Sequence, residues 1–558
     1  TASIAMWQRS EAERSRDEAV ANLKVAREAV QTMLTEVGAE QLRNIPQLED
    51  VRATLLEEAL TLYQQLQNRG SNDPQSRFDA ALAAHHVGDI LRIRAGEGDA
   101  SDAAVAYQNA IEQLNQLRIE YPEEARYSRQ LANSYNWLGE LLRPSTEEYA
   151  AAREAYESAI ALQRDLIKVL DSRRAEQPLP TDPDAPAEVA LELARTTYNR
   201  GILLSDSGRP GDSDDAVADY QKAIGMLVQL LDANGSSQGV RHELARCRNL
   251  LAIELKFQKK LNAALSELDK AIAEFQQLIK QQPTNRQFQF ELAQCQNNRA
   301  NLMLKIAGVA ESHSEKDDYF QLALGSNKAA NDLFAKLGQP LALYQFELAG
   351  TVNSRGSILE DQGAVSDDES QLKLNEQSIE AYAEAVELIE PLIAAHPEYA
   401  HRFGIAICNL ADRQQTIGRL AEAKQTLDRL SPKLPFDGPR FRKAARIAAA
   451  CIDADGQLAA GCGEQALDLL ELAASRYLAE AITSLESLND ANTEERSELI
   501  NMIEDRLNVV SELETGSEFA LIRTNVDLVT RFDDLTSSFK TLLLKFRERL
   551  SAGKSNSK

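Results

Sequence analysis

The chain is 558 residues long, beyond the size at which one hydrophobic core keeps growing, so several domains or a stack of small units is required. Ala, Leu, Glu, Gln and Arg dominate and Gly plus Pro number only 26 and 16, which excludes a loop-rich β protein and favours helices. A formal net charge of −25 repels phosphate backbones and argues against nucleic acid as a partner.

No signal peptide and no apolar run of membrane-spanning length is visible, and since the chain opens on Thr1 without an initiator Met, a fragment or processed product is expected. After a charged run, Arg9–Glu18, the residues Ala19, Leu23, Ala26, Val30, Met33 and Val37 form an apolar stripe and predict one long amphipathic helix. A second helix is expected over Leu48 to Leu66. The first helix either pairs with a second copy as a coiled coil or folds back as a cap on the helices nearest to it in the chain.

From Ala80 onwards the chain repeats. A helical segment begins at Ala80, Leu131, Leu193, Leu244, Leu292, Leu348 and Phe403, with starts 48 to 62 residues apart. Eight residues after each start stands Gly88, Gly139, Gly201, Ala252, Ala300, Gly356 or Ala411. In a helix hairpin such a position faces the partner helix, where a missing or one-carbon side chain permits close approach. Gly208, Gly363 and Gly418 lie fifteen residues after their starts and mark the ends of first helices.

Second helices carry Ala-x-x-x-Tyr-x-x-Ala-Ile: Ala103, Tyr107, Ala110, Ile111; then Ala152, Tyr156, Ala159, Ile160; then Ala216, Tyr220, Ala223, Ile224. Leu268 replaces Tyr after Ala264, and Ser378 replaces the first Ala before Tyr382. Steps of three and four place these residues on one stripe. Pro122, Pro283 and Pro397 stop second helices. Loops are expected at Gln177–Pro186 and Asp361–Glu369, and the copy starting at Leu292 has a blurred second helix around Tyr319–Phe334.

Beyond the repeats, more helices are expected from Arg440 to Leu550, ending in a Phe/Leu-rich segment from Phe519 to Phe546 that caps the array. The tail Ser551–Lys558 is polar and expected to be disordered. Arg440, Arg442, Lys443 and Arg446 form a short basic stretch, read as a solvated helix face rather than a phosphate site. Cys247 and Cys295 occupy matching repeat positions and read as packing residues. Five scattered cysteines make neither a disulfide framework nor a zinc site, a Cys451–Cys462 bridge being the remaining alternative.

These repeats resemble tetratricopeptide repeats, though longer than the minimal unit of ~34 residues. The resemblance implies an all-α, right-handed superhelix of antiparallel helix pairs with long helices and helical caps at both ends. It divides the chain into 1–70 for the juxtamembrane-like and capping helices, 71–435 for about seven repeats, 436–550 for the C-terminal cap and 551–558 for the tail. The stretch Leu42-x-x-Ile45-Pro46-x-Leu48-x-x-Val51-Arg52-x-x-Leu55-Leu56-Glu57-Glu58-Ala59-Leu60-x-x-Tyr63 adds a finer likeness, continued by His86-Val87-Gly88-Asp89-Ile90. It resembles the opening of the C-terminal region of planctomycete transmembrane serine/threonine protein kinases. That resemblance implies a bacterial signalling context, a kinase domain and a membrane helix upstream of Thr1, and an extracytoplasmic place for this chain. A stand-alone scaffold would instead be cytoplasmic.

The chain itself carries no phosphate loop, His-Arg-Asp or Asp-Phe-Gly motif, so it is read as non-catalytic and without a cofactor. His242-Glu243 opens like a zinc-protease helix but has Arg246 where the second His must stand. His85 and His86 are adjacent, about 100° apart on a helix, a poor arrangement for chelating one metal, and His396 and His401 read as loop residues. No metal site is expected. A helical enzyme with a scattered site is the distant alternative.

In a tetratricopeptide superhelix the first helices line a concave groove that takes a protein or extended peptide. The resemblance assigns to it positions two, five and nine residues after each start. Among them are Asn133 and Asn136, Arg195 and Tyr198, Arg246 and Asn249, Asn297 and Asn301, and Asn353. An Asn amide offers both a donor and an acceptor, so a ladder through Asn136, Asn249, Asn297 and Asn353 can pair with a peptide main chain whatever its sequence. The alternative is that these amides bridge adjacent helices. Arg195 and Arg246 are candidates for a ligand carboxylate.

Overall fold

A computed structural model of the chain describes residues 74–430, except 95–98, 177–185, 210, 235–236 and 338–341, together with a few positions between 443 and 469. The expected N-terminal helices, the stretch Phe519–Phe546 and the tail lie outside the described residues. Among the described residues every regular element is helical. The chain divides into two compact units, Thr1–Glu254 and Leu255–Lys558, the division falling inside one helix.

The first unit contains α1 (Pro74–Arg94), α2 (Asp99–Glu120), α3 (Ala125–Leu142), α4 (Tyr149–Glu176), α5 (Pro186–Ser207), α6 (Asp212–Asn234) and most of α7 (Gln238–Phe257). The sequence signals act where they stand. Pro74 and Pro186 sit at first helical positions, where a missing N–H costs nothing. Asp212, Asp214 and Asp215 place negative charge on the first turn of α6. Gly208 takes φ +62°, a left-handed conformation that lets the chain leave α5 at once.

Hairpins α1–α2, α3–α4 and α5–α6 pack tightly, and α2 and α4 also pack on the first helix of the next pair. One core runs through α1 to α5, from Ala83, Val87 and Ile90 through Tyr107, Leu138 and Tyr156 to Leu203. Full burial of a Val, Ile or Leu side chain here contributes about 1.5–3 kcal/mol. The second-helix tyrosines Tyr107, Tyr156 and Tyr220 are among the largest fully buried side chains. Each ring lies across the small residue of its own first helix. An ideal Cβ on Gly88, Gly139 or Gly201 would stand 2.7, 2.9 or 2.8 Å from the nearest ring carbon of its tyrosine.

The second unit contains the end of α7, then α8 (Leu261–Gln281), α9 (Arg286–Val309), α10 (His313–Leu337), α11 (Ala342–Gly363), α12 (Asp368–Ile389), α13 (Ala400–Thr416) and the short α14 (Leu420–Leu427). Two 3₁₀ turns, Glu390–Leu392 and Pro397–Tyr399, join α12 to α13. Asn285 and Asp367 cap α9 and α12 through side chains that accept from the backbone N–H of Phe288 (3.2 Å) and Ser370 (2.9 Å). Gly418 takes φ +81° after α13.

Two expectations are corrected by the structure, the Asp361–Glu369 loop and the loop placement of His401, and one blurred element is filled in. The pair α9–α10, whose second half is blurred in sequence, is a packed hairpin. The buried residues Ala323, Ser326, Asn327, Ala330, Phe334 and Leu337 keep the spacing of Ala103, Ala106, Tyr107, Ala110, Leu114 and Leu117, so asparagine has taken the tyrosine position. Asp361–Glu369 is not a nine-residue loop, because α11 runs on to Gly363 and α12 begins at Asp368, the Asp367 cap making a short connection sufficient. His401 lies inside α13 rather than in a loop. The core around α12–α14 continues to Ala444, Ile447, Ala448, Ala466 and Leu469, which is what is described of the expected C-terminal cap. Lys443 of the basic stretch donates to Asn409 Oδ1 at 3.1 Å.

Candidate functional site

The buried tyrosines connect the hairpin cores to the face on which the groove positions lie. Past its glycine, each phenol reaches a polar group of the first helix. Tyr107 donates to Asp89 Oδ1 at 2.8 Å and Tyr156 to Glu140 Oε1 at 2.6 Å. Tyr382 donates to Glu360 at 2.7 Å and lies 3.0 Å from Ser357 Oγ, while Tyr220 stands 3.1 Å from Ser205 Oγ. Asp89, Glu140 and Ser357 are three of the positions nine residues after a start. Burial pushes all four phenols well above their ordinary range, so they remain neutral donors.

In the first unit, α3 and α5 are joined by three polar bridges in one register. Arg129 Nη2 donates to Glu192 Oε1 at 2.7 Å, Asn199 Nδ2 to Asn136 Oδ1 at 3.3 Å, and Arg143 Nη1 to Asp206 Oδ2 at 2.8 Å. Each pair is 63 residues apart, and successive pairs are seven residues, two helical turns, apart along each helix. Asn136 is therefore a bridging residue whose carbonyl oxygen is engaged. Its Nδ2 has no hydrogen-bond partner among the described residues, and the side chain is half-buried.

Tyr198, Arg195 and Arg246 converge on a carboxylate, and the chain supplies it. Glu243, 7 % exposed, accepts from Tyr198 OH at 2.6 Å and Arg195 Nε at 2.8 Å, with Arg246 Nη1 3.8 Å away. Burial and the adjoining Glu243 charge push the Tyr198 phenol far up. Asn249 lies half-buried one turn beyond this cluster on α7. Asn133 stands with Nδ2 3.4 Å from His85 Nε2.

In the second unit, Asn353 accepts from Asn409 Nδ2 at 3.2 Å, joining α11 to α13. This repeats the Asn136–Asn199 relation. In both, the amide five residues after one start meets the amide six residues after the next. Asn353 Nδ2 likewise has no partner among the described residues. Asn297 and Asn301 are half-buried on α9, and the buried Oδ1 of Asn297 lacks a partner among the described residues. A polar cleft of about 620 Å³ opens elsewhere in this unit, lined by Asp317, Gln321, Gln362, Asp367 and Lys373.

In the middle of α1, His85 and His86 both turn towards Asp89 Oδ2, at 3.5 Å from Nε2 and 3.4 Å from Nδ1 respectively. The expectation from adjacency considered the two rings alone. Asp89, three and four residues on, brings both to one carboxylate. His85 Nδ1 lies 3.0 Å from Ser134 Oγ, which itself donates to the Gln130 carbonyl. The hydroxyl must accept from Nδ1–H, which leaves His85 Nε2 as the lone-pair nitrogen. Burial pushes His85 down to about 4 against the pull of Asp89.

Sequence reasoning missed Asn199, Asn409, Glu243 and Ser134 as partners. The two asparagines did leave a signal, since both stand six residues after a start.

No family model matches the chain, and no curated protein matches it. Among solved structures, BtubC from P. vanneervenii is 15 % identical, covering 50 % of this chain and 89 % of its own, with a TM-score of 0.33. The S. pombe nuclear import adaptor Nro1 is 14 % identical over 57 % of this chain and 99 % of its own, TM-score 0.33. The tetratricopeptide protein TTC0263 of Thermus thermophilus is 16 % identical over 46 % and 98 %, TM-score 0.23. Scores of this size do not establish a common fold, and the helix-pair architecture rests on the chain's own packing.

Proposed function

We propose that this chain is a non-catalytic scaffold that holds another protein, or an extended peptide, along its first helices through asparagine amides. The observation that carries this reading is the matched state of Asn136 and Asn353. Each is fixed by an amide of the neighbouring first helix through Oδ1 and keeps an Nδ2 donor that has no partner among the described residues. A peptide carbonyl can accept from such a donor without regard to side chains, and the bridge has already removed much of the rotamer entropy that binding would otherwise cost. On this reading the bridging and peptide-binding roles of the ladder are two uses of one amide. Arg195 reaches Glu243 from α5 and so ties α5 to α7, while Arg246 lies along α7 beside the same carboxylate.

The likeness of Leu42–Tyr63 to the kinase-associated segment supports placing the chain as the interaction region of a membrane serine/threonine kinase. Among the described residues no helix is long and apolar enough to cross a membrane.

Selection of binders from a displayed library of random dodecapeptides, followed by anisotropy titration, tests the scaffold reading. Substituting Asn136, Asn249, Asn297 and Asn353 together by Ala is expected to weaken the selected peptides about tenfold or more with helical content unchanged. Failure to select any peptide, or unchanged affinity in the variant, refutes it. The sequence encoded upstream of Thr1 tests the kinase placement. A membrane span behind kinase motifs is expected, and a start codon there would make this a stand-alone scaffold.

A further inference from the structure

We propose that His85, His86 and Asp89, with the amide of Asn133 as a fourth donor, form a binding site for one divalent metal ion of the zinc class. The three ligand atoms lie within 4.8 Å of one another. Zinc binds imidazole nitrogen and carboxylate oxygen at ~2.0–2.2 Å, which sets two ligands of one tetrahedral ion ~3.3–3.6 Å apart. The separations from Asp89 Oδ2 to the two imidazoles, 3.5 and 3.4 Å, have that size.

The surrounding groups orient the ligands as outer-shell partners do at metal centres. Ser134 Oγ takes the Nδ1 proton of His85 and so turns the Nε2 lone pair inward. Tyr107 donates to Asp89 Oδ1 at 2.8 Å and leaves Oδ2 facing the rings. The Asn133 amide is 3.4 Å from His85 Nε2, and turning it over presents its oxygen to the same point. The groups come from α1, α2 and α3, so an ion here ties the first hairpin to the next.

The donor set selects the ion. Two imidazoles and one carboxylate suit zinc and its first-row neighbours, whereas calcium and magnesium require oxygen ligands and copper(I) prefers sulfur. Arg92 bonds the Tyr107 hydroxyl at 3.4 Å and lies over the Trp137 ring. It adds a like charge nearby, which moderates affinity. Asp89, with a side chain 21 % exposed, provides the route from solvent.

The test uses the full chain, stripped with a chelator and titrated with Co²⁺ and then Zn²⁺. One Co²⁺ per chain with visible d–d absorption is expected, displaced by equimolar Zn²⁺. His86→Gln and Asp89→Asn, checked for native helical content, should each lose the band and bind zinc at least about tenfold more weakly. His242→Gln should bind as the wild type does. X-ray absorption of the zinc-loaded wild type, which needs no variant, should show two imidazoles in the coordination shell. Absence of the cobalt band, a shell with fewer than two imidazoles, or binding that survives His86→Gln and Asp89→Asn in folded protein overturns the assignment.

Discussion

Tyr382 occupies the volume that a side chain on Gly356 would need: an ideal Cβ there would lie 2.5 Å from Cε1 of the ring. The ring cannot step aside, because Glu360 and Ser357 hold its hydroxyl and Ala381 and Ala385 are fully buried beside it. The same relation joins Gly88 to Tyr107, Gly139 to Tyr156 and Gly201 to Tyr220. Where the sequence has Ala252 in place of the glycine, its second helix carries Leu268 in place of the tyrosine.

Gly356→Ala is therefore expected to destabilise the chain. Overpacking costs ~1–3 kcal/mol, and the better helix propensity of Ala returns ~1 kcal/mol, so a net loss of up to about 2 kcal/mol should appear in urea unfolding. Adding Tyr382→Leu, which imitates the Ala–Leu pairing, should recover part of that loss. A double variant no better than the sum of the singles would refute the steric account.

Glu243 and Tyr198 give a second contrast. Removing the carboxylate in Glu243→Ala orphans a buried phenol, at a cost of about 1–3 kcal/mol. Arg195 is 44 % exposed and can return to water, so Arg195→Ala should cost less than about 1 kcal/mol. Denaturation curves that rank the two variants the other way would show that the cation, not the phenol, dominates the cluster.

Alkaline pH provides a third. An unfolded tyrosine gives up its proton near pH 10. In the fold, Tyr149 is pushed up to about 12 by burial and its bond to Asp212, and burial pushes Tyr107, Tyr156, Tyr198, Tyr220 and Tyr382 well up too. Above pH 10 the unfolded state binds fewer protons than the folded one, so stability falls as pH rises, by up to ~1.4 kcal/mol per pH unit for each group. Below pH 10 the contribution is constant and fully present. Tyrosinate absorbance should thus rise in two phases, the second coinciding with loss of helical circular dichroism. A single smooth titration with the helices intact would contradict the burial of these phenols.

The thiols supply a fourth. Cys247, Cys295 and Cys408 are buried and unbridged, and burial pushes the Cys295 thiol well up. In a chain carrying Cys451→Ser and Cys462→Ser, these three should resist an aromatic disulfide reagent in buffer and react only as the protein unfolds. Rapid stoichiometric labelling of the native chain would show that these helices open locally.

The sequence by itself determined everything that obeys the period of one helix. The starts, the small residue eight positions on, the tyrosine stripe and the end at Gly208 were legible because each derives from 3.6 residues per turn and the chemistry of helix ends. Gly363 misled only by remaining inside its helix, and the second helix around Asn327 was blurred because a polar amide stands where the other copies carry tyrosine. The tertiary structure decided which groups meet between helices. Asn136 finds Asn199 across 63 residues, Glu243 gathers Tyr198 and Arg195, and Asp89 draws two imidazoles together over a helix whose partners come from α2 and α3. Those meetings depend on how far one helix slides along another. Packing of the buried tyrosine and alanine faces sets that register, and no local spacing in the chain encodes it.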